Sequence, residues 1–111
     1  MPLLNISTNN EIKNKQTLLS KSSQFISSLL NKPENFVMVK LSDSLEMFFA
    51  GTNEPCCFIE IKSIGSLEPS KMSKLICEFF SNELEISVDR IYIFFQNVDS
   101  SMWAWNGRTF G

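Results

Sequence analysis

The sequence predicts an α+β fold: a two-layer sandwich of two β-α-β units, with one four-stranded mixed sheet and two helices on one of its faces. Three observations predict it. A strand-like run, an amphipathic helical run and a second strand-like run occur in that order, and the same order recurs in the second half of the chain. Each helical run carries its apolar residues along one side, as a helix laid on a sheet does. At 111 residues, 43% of them hydrophobic, the chain reads as one domain, residues 1–111, with enough apolar surface for a packed core.

The elements follow in order. Pro2 to Thr8 is a short apolar strand. Lys13 to Leu30 has helical spacing, with Leu18, Ser22, Phe25, Ile26, Leu29 and Leu30 on one stripe. Asn31-Lys32-Pro33 ends that helix, because Pro33 disfavours helical geometry in the residue before it. Phe36 to Leu41 is a β-type run, and Leu45 to Ala50 is expected to add a short edge strand ended by Gly51-Thr52-Asn53. The second unit starts at Cys56. Cys57, Ile59 and Ile61 alternate with Phe58, Glu60 and Lys62, the pattern of a half-buried strand. Gly65 to Pro69 is a loop, and Ser70 to Leu84 is a helix with Met72, Leu75, Ile76, Phe79 and Phe80 on a broad apolar face. Asp89 to Phe95 is a strand with Ile91, Ile93 and Phe95 on one side and Tyr92 and Phe94 on the other. The stretch from Leu30 to Val37 parallels that from Leu84 to Ile91.

Right-handed crossovers place both helices on the same face of the sheet. The other face then carries Phe58, Tyr92 and Phe94 beside Glu60 and Lys62. A mixed aromatic and charged face on so small a domain predicts burial against other subunits.

Composition excludes several functions. A formal net charge of −2 without clustered Lys and Arg argues against a nucleic-acid surface. No apolar run reaches the roughly 18 residues of a membrane span. The first residues lack the charged-then-apolar layout of a signal peptide. The expected compartment is the cytosol, or the outside of the cell by a route that uses no signal peptide. There is no His, which removes the commonest general base, the Ser–His and Cys–His nucleophile pairs and most zinc sites. No metal and no cofactor are expected. The three cysteines, Cys56, Cys57 and Cys77, do not read as a disulfide framework.

Without His, a catalysed proton transfer must use a carboxylate, a Lys, a Tyr or the N-terminal amine. The chain opens Met1-Pro2-Leu3-Leu4-Asn5-Ile6. Aminopeptidases usually remove a start Met before so small a residue, which would leave Pro2 with a free secondary amine at the start of a strand. In an apolar pocket such an amine loses solvation in its charged form and becomes a base near neutral pH. Lys32, at the end of the first helix, favours the negative end of the helix dipole and is also able to bind an anion. Tyr92, the only tyrosine, is a strand residue whose phenol is able to donate to a developing oxyanion. Trp103, Trp105 and Phe110 lie in a polar C-terminal stretch, which suits a pocket rim and a subunit contact better than burial in one subunit.

Read together, Pro2, Lys32-Pro33, Ser63-Ile64-Gly65 and Asp89-Arg90-Ile91-Tyr92-Ile93 resemble the macrophage migration inhibitory factor family, in the tautomerase superfamily with an N-terminal proline. Asn53-Glu54-Pro55-Cys56, Ser73-Lys74-Leu75-Ile76-Cys77 and Trp105-Asn106-Gly107-Arg108-Thr109-Phe110 support the likeness, which spans essentially the whole chain. The resemblance implies a homotrimer with active sites at the subunit boundaries and cofactor-free keto–enol tautomerisation of small aromatic α-keto acids such as phenylpyruvate. It implies Pro2 as the acid/base and Lys32 as the partner of the substrate carboxylate. Ser63 and Ile64 are implied as site lining and Tyr92 as a donor from a neighbouring subunit, with Trp105 and Phe110 beside an aromatic substrate. The chain departs from the family pattern at Phe94, where the relative has an asparagine, so the pocket becomes more apolar there. It departs again at the relative's Cys-x-x-Cys, of which Cys56 is kept while Ile59 takes the second position. Adjacent Cys56 and Cys57 make a poor redox pair, since a disulfide between neighbours is strained. The competing reading is a cytokine-like signalling or binding trimer with vestigial catalysis, towards which Phe94 leans.

Overall fold

Burial alternates strictly along Leu3–Thr8 (β1) and along Cys57–Ser63 (β3). The two strands run antiparallel at the centre of the sheet, Leu4 opposite Ile61 and Ile6 opposite Ile59. The computed structural model describes residues 1–111. Met38–Ser42 (β2) pairs parallel to β1 and Ile91–Asn97 (β4) parallel to β3, in the order β2-β1-β3-β4. Lys15–Leu30 (α1) connects β1 to β2, and Pro69–Leu84 (α2) connects β3 to β4. The sheet is therefore mixed and built of two β-α-β units, as the sequence predicts.

The apolar stripes of the helices close the core. Leu18, Ser22, Ile26 and Leu30 of α1 are buried, as are Met72, Ile76, Phe80 and Leu84 at the same spacing in α2. They pack on Leu4, Ile6, Ile59 and Ile61. Phe25 and Phe79 join the helices by stacking, with ring centroids 4.1 Å apart and planes within 5°. Leu75, expected on the apolar face of α2, is 51% exposed, because that face turned out narrower than the stretch of apolar residues.

The internal repeat extends to atomic detail at the helix ends. Each helix ends on a left-handed residue, Asn31 at φ 52° and Glu85 at φ 56°. In both, a serine in the last turn donates to the carbonyl two residues past the helix end, Ser27 Oγ to Lys32 O and Ser81 Oγ to Ile86 O, each at 2.6 Å. A short 3₁₀ turn follows each, Glu34–Phe36 and Val88–Arg90, before the next strand. Phe36 and Asp89, expected in strands, therefore belong to these turns. Asn tolerates the left-handed region whereas Glu does not. Glu85→Gly is expected to stabilise the fold by about 0.5–1 kcal/mol, read as a higher denaturant midpoint at unchanged slope.

The expected edge strand at Leu45–Ala50 does not form. Positive φ at Ser44 (55°), Ala50 (54°) and Gly51 (77°) interrupts extended geometry, and only a bridge between Phe49 and Thr52 remains. Arg90 holds this loop instead. Its guanidinium donates to the carbonyls of Pro55 (2.8 Å), Phe49 (3.0 Å) and Glu54 (3.0 Å) and lies 5.2 Å from the Phe49 ring centroid. On the sheet face away from the helices, Met38, Tyr92 and Phe94 are exposed.

Candidate active site

Strand directions fix what meets Pro2. Because β1 runs against β3, its start lies beside the end of β3 and the start of β2: Leu3 sits opposite Lys62 on one side and Met38 on the other. The Pro2 carbonyl accepts from the Met38 backbone N–H at 3.0 Å, and the proline ring is buried. The N-terminus is thus stitched into the sheet rather than trailing from it.

The chain after β4 folds over this corner. The Val98 N–H donates to Ser63 O at 2.8 Å, and the Asp99 carboxylate caps the turn Ser100–Met102 by accepting from the Ser101 N–H at 2.9 Å. Ala104–Trp105 (β5) and Arg108–Thr109 (β6) then form a hairpin closed by Asn106-Gly107, with φ of 54° and 82°. Two positive φ values are what a tight two-residue hairpin turn demands, and Asn-Gly supplies them at least strain. The hairpin sets Trp105 parallel to Phe110, with centroids 6.5 Å apart, and Phe36 edge-on to Trp105 at 5.5 Å.

Two adjoining cavities result. One, of about 510 Å³, is lined by Pro2, Lys62, Val98, Trp103 and Trp105. The other, of about 310 Å³, is lined by Lys32, Pro33 and Ile64. Met1, Phe36 and Phe110 line both. A larger cavity of about 610 Å³ lies at the far end of β1, around Asn9 and the 45–48 loop. Its one charged group is the Glu46 carboxylate, and it has neither a cation nor a nucleophile with which to do chemistry. The Pro2 corner combines an amine, two ammonium groups and aromatic walls, which is the usual make-up of a ligand site.

The electrostatics favour a neutral amine. The N-terminal amine, here on Met1, is held below its ordinary value by burial and, to a lesser degree, by the positive charge of Lys32. Lys32 is half-buried, and the helix-end hydrogen bonds fix its backbone: its N–H donates to Ser27 O at 3.0 Å. The chain's three ion pairs, Lys15–Asp43, Lys21–Glu83 and Lys71–Glu68, leave both Lys32 and Lys62 unneutralised.

One chain brings together Pro2, Lys32, Ile64, Trp105 and Phe110 of the residues singled out from the sequence. It does not bring in Tyr92 or Phe94. Tyr92 is the second residue of β4, at the opposite end of the sheet, 64% exposed and edge-on to Phe49 at 4.7 Å. Phe94 sits opposite Glu60, on the face away from the helices. Ser63 adjoins the corner, but its side chain is fully buried on the helix side of β3, with no hydrogen-bond partner, and lines neither cavity. Sequence reasoning missed Phe36 and Lys62 as cavity residues. It also missed the hairpin, for which Asn106-Gly107 was the available signal.

The cysteines lie elsewhere. Cys56 and Cys57 are buried free thiols. Burial first, then the neighbouring thiols of Cys56 and Cys77, pushes Cys57 up to about 12. A thiol that stays protonated is a poor nucleophile and a poor redox centre. No helix is long and apolar enough to cross a membrane.

Comparison with known proteins agrees with this picture. A sequence model of the family "Macrophage migration inhibitory factor (MIF)" matches residues 1–111. A macrophage migration inhibitory factor homolog of Brugia malayi is 33% identical, with 100% of both chains covered. The macrophage migration inhibitory factor of Mus musculus is 32% identical, with 99% of each covered. The crystal structure of a homologue from Prochlorococcus marinus superposes with a TM-score of 0.92 at 40% identity, covering 98% of this chain and 99% of that one.

Proposed function

The chain belongs to the macrophage migration inhibitory factor family, within the tautomerase superfamily, and on that premise we propose that it is a cofactor-free keto–enol tautomerase of small aromatic α-keto acids such as phenylpyruvate. The observation that carries the proposal is the buried Pro2 ring, pinned to Met38 where the Pro2 and Lys32 cavities adjoin, at a corner where burial and then Lys32 depress the N-terminal amine. Removal of Met1 leaves the secondary amine of Pro2 as the N-terminal amine of this corner, beside the same apolar walls and Lys32. In its neutral form the Pro2 nitrogen takes a proton from the carbon beside the substrate carbonyl, and the electron pair moves onto the carbonyl oxygen. The Pro2 ammonium then gives that proton to the oxygen, which completes the enol and restores the free amine, and the reverse sequence returns the ketone. Lys32 pairs with the substrate carboxylate, while Phe36, Trp105 and Phe110 hold the aromatic ring. Tyr92 and Phe94 act from a second copy of the chain, in a homotrimer whose sites lie at subunit boundaries. The exposed sheet face and the distance of Tyr92 from Pro2 along the sheet support that assembly.

The test is turnover of phenylpyruvate by native protein whose N-terminus has been checked by mass spectrometry. Measurable tautomerisation by the Pro2-terminated form is expected. A well-folded trimer without it would favour the other reading, a cytokine-like signalling or binding trimer. Phe94 supports that second reading, because an apolar ring replaces a polar substrate contact.

Lys32→Met provides a further expectation. It removes a charge-assisted contact, so KM is expected to rise about tenfold or more. It also removes one of the two causes that depress the amine. The pKa of the base then rises, and the acid limb of kcat/KM against pH moves to higher pH. A rise in KM without that displacement would assign Lys32 to binding alone.

A further inference from the structure

Lys62 is a second cation at the Pro2 corner, and the tautomerase reading gives it no task. It projects from the end of β3 opposite Leu3 and lines the 510 Å³ cavity together with Pro2. The nearest carboxylate in sequence, Glu60, is engaged by Asn5, whose Nδ2 donates to it at 3.0 Å. Lys62 takes part in none of the chain's ion pairs. Neither cavity has an Asp or Glu in its lining, while each contains one lysine. Within one chain, two ammonium groups stand among aromatic and aliphatic walls with no acid between them, an arrangement that favours a ligand with two negative charges. A monocarboxylic acid neutralises only one of them, and the unpaired cation then loses solvation as the apolar body of the ligand fills the cleft.

Met1 lies where the two cavities adjoin and lines both. Once it is removed, a ligand is able to pass Pro2 with one end at Lys32 and the other at Lys62. We propose that the cleft is a two-ended anion site that selects an aromatic α-keto acid bearing a second carboxylate on the far side of its ring. This deepens the tautomerase reading by naming its substrate class. It fixes Lys62 as the residue that sets specificity and Lys32 as the one that receives the keto-acid carboxylate.

The test compares phenylpyruvate with para-carboxyphenylpyruvate. Binding is measured by isothermal titration calorimetry on Met1-free protein, as wild type, Lys62→Met and Lys62→Arg, with turnover followed in parallel. Wild type is expected to bind the dicarboxylate about tenfold or more tightly than phenylpyruvate. In Lys62→Met the ratio of the two Kd values is expected to fall to near one, and Lys62→Arg is expected to restore it. Equal Kd values in wild type, an unchanged ratio in Lys62→Met, or no binding heat with either acid would overturn the proposal. Turnover is a separate readout. A Lys62-dependent binding preference without turnover removes the tautomerase and keeps the two-ended site, while turnover of phenylpyruvate without a preference does the reverse.

Discussion

Pro2→Gly is expected to lower kcat/KM for phenylpyruvate by about 10²–10⁴-fold, the range that a positioned general acid–base supplies. The substitution leaves an amine at the terminus but removes the ring that packs it and fixes its direction. Pro2 is buried and its carbonyl bonds to Met38, so the rest of the sheet keeps its pairing and the circular dichroism spectrum should be unchanged. A form that retains Met1 provides the stricter comparison, since the folded chain is the same and only the nitrogen is blocked as an amide. It is expected to be as inactive as Pro2→Gly. Full activity in a Met1-retaining form, verified by mass spectrometry, would remove Pro2 as the base.

Phe80→Ala is expected to carry the largest stability loss, about 3–5 kcal/mol, because a fully buried aromatic ring is deleted and its space cannot close completely. Phe80 lies at the centre of α2's packed face, with the Phe79 ring edge-on at 4.9 Å and Phe79 itself stacked on Phe25. Its loss therefore weakens both the helix-to-sheet and the helix-to-helix contacts. Chemical denaturation at fixed protein concentration reads the effect, since any assembly into trimers makes the midpoint depend on concentration. Phe48→Ser serves as the control: Phe48 is 77% exposed, and its replacement should fall within about 0.5 kcal/mol of wild type. A loss under about 1 kcal/mol for Phe80→Ala would mean that the α2 face is not the core.

Where side-chain period decided the outcome, the sequence was a good guide. Cys57, Ile59 and Ile61 alternate as a half-buried strand must, and the chain builds β3 there. The stripe from Leu18 to Leu30 is likewise what α1 buries. The internal echo across Leu30–Val37 and Leu84–Ile91 is matched by the paired serine bonds and left-handed helix ends. Misreadings came where backbone torsion outweighed composition. Leu45–Ala50 is apolar enough for a strand, but positive φ at Ser44 and Ala50 makes it a loop, which Arg90 ties through the Phe49 carbonyl. Phe36 reads as a strand residue, yet the turn after Pro33 lifts it over both cavities.

The site was legible in part. Pro2 and Lys32 stood out by chemistry, and the fold brings their cavities side by side. Lys62 did not, because alternation shows only that a residue faces away from the helices, not that the strand ends there beside Pro2. Ser63 shows the converse: it is adjacent to the corner in sequence, but its place in the alternation turns its hydroxyl into the helix layer. Tyr92 lies at the other end of the sheet from Pro2, which the strand period alone did not reveal.

The proposed catalysis turns on a neutral Pro2 nitrogen, which is directly measurable. Protein labelled with ¹⁵N-proline, with Met1 removed, is titrated by NMR while the Pro2 resonance is followed. The amine is expected to titrate below a solvent-exposed N-terminal proline in an unfolded peptide, and to move upward in Lys32→Met. A Pro2 nitrogen that titrates with or above that peptide reference, unmoved by the loss of Lys32, would contradict it.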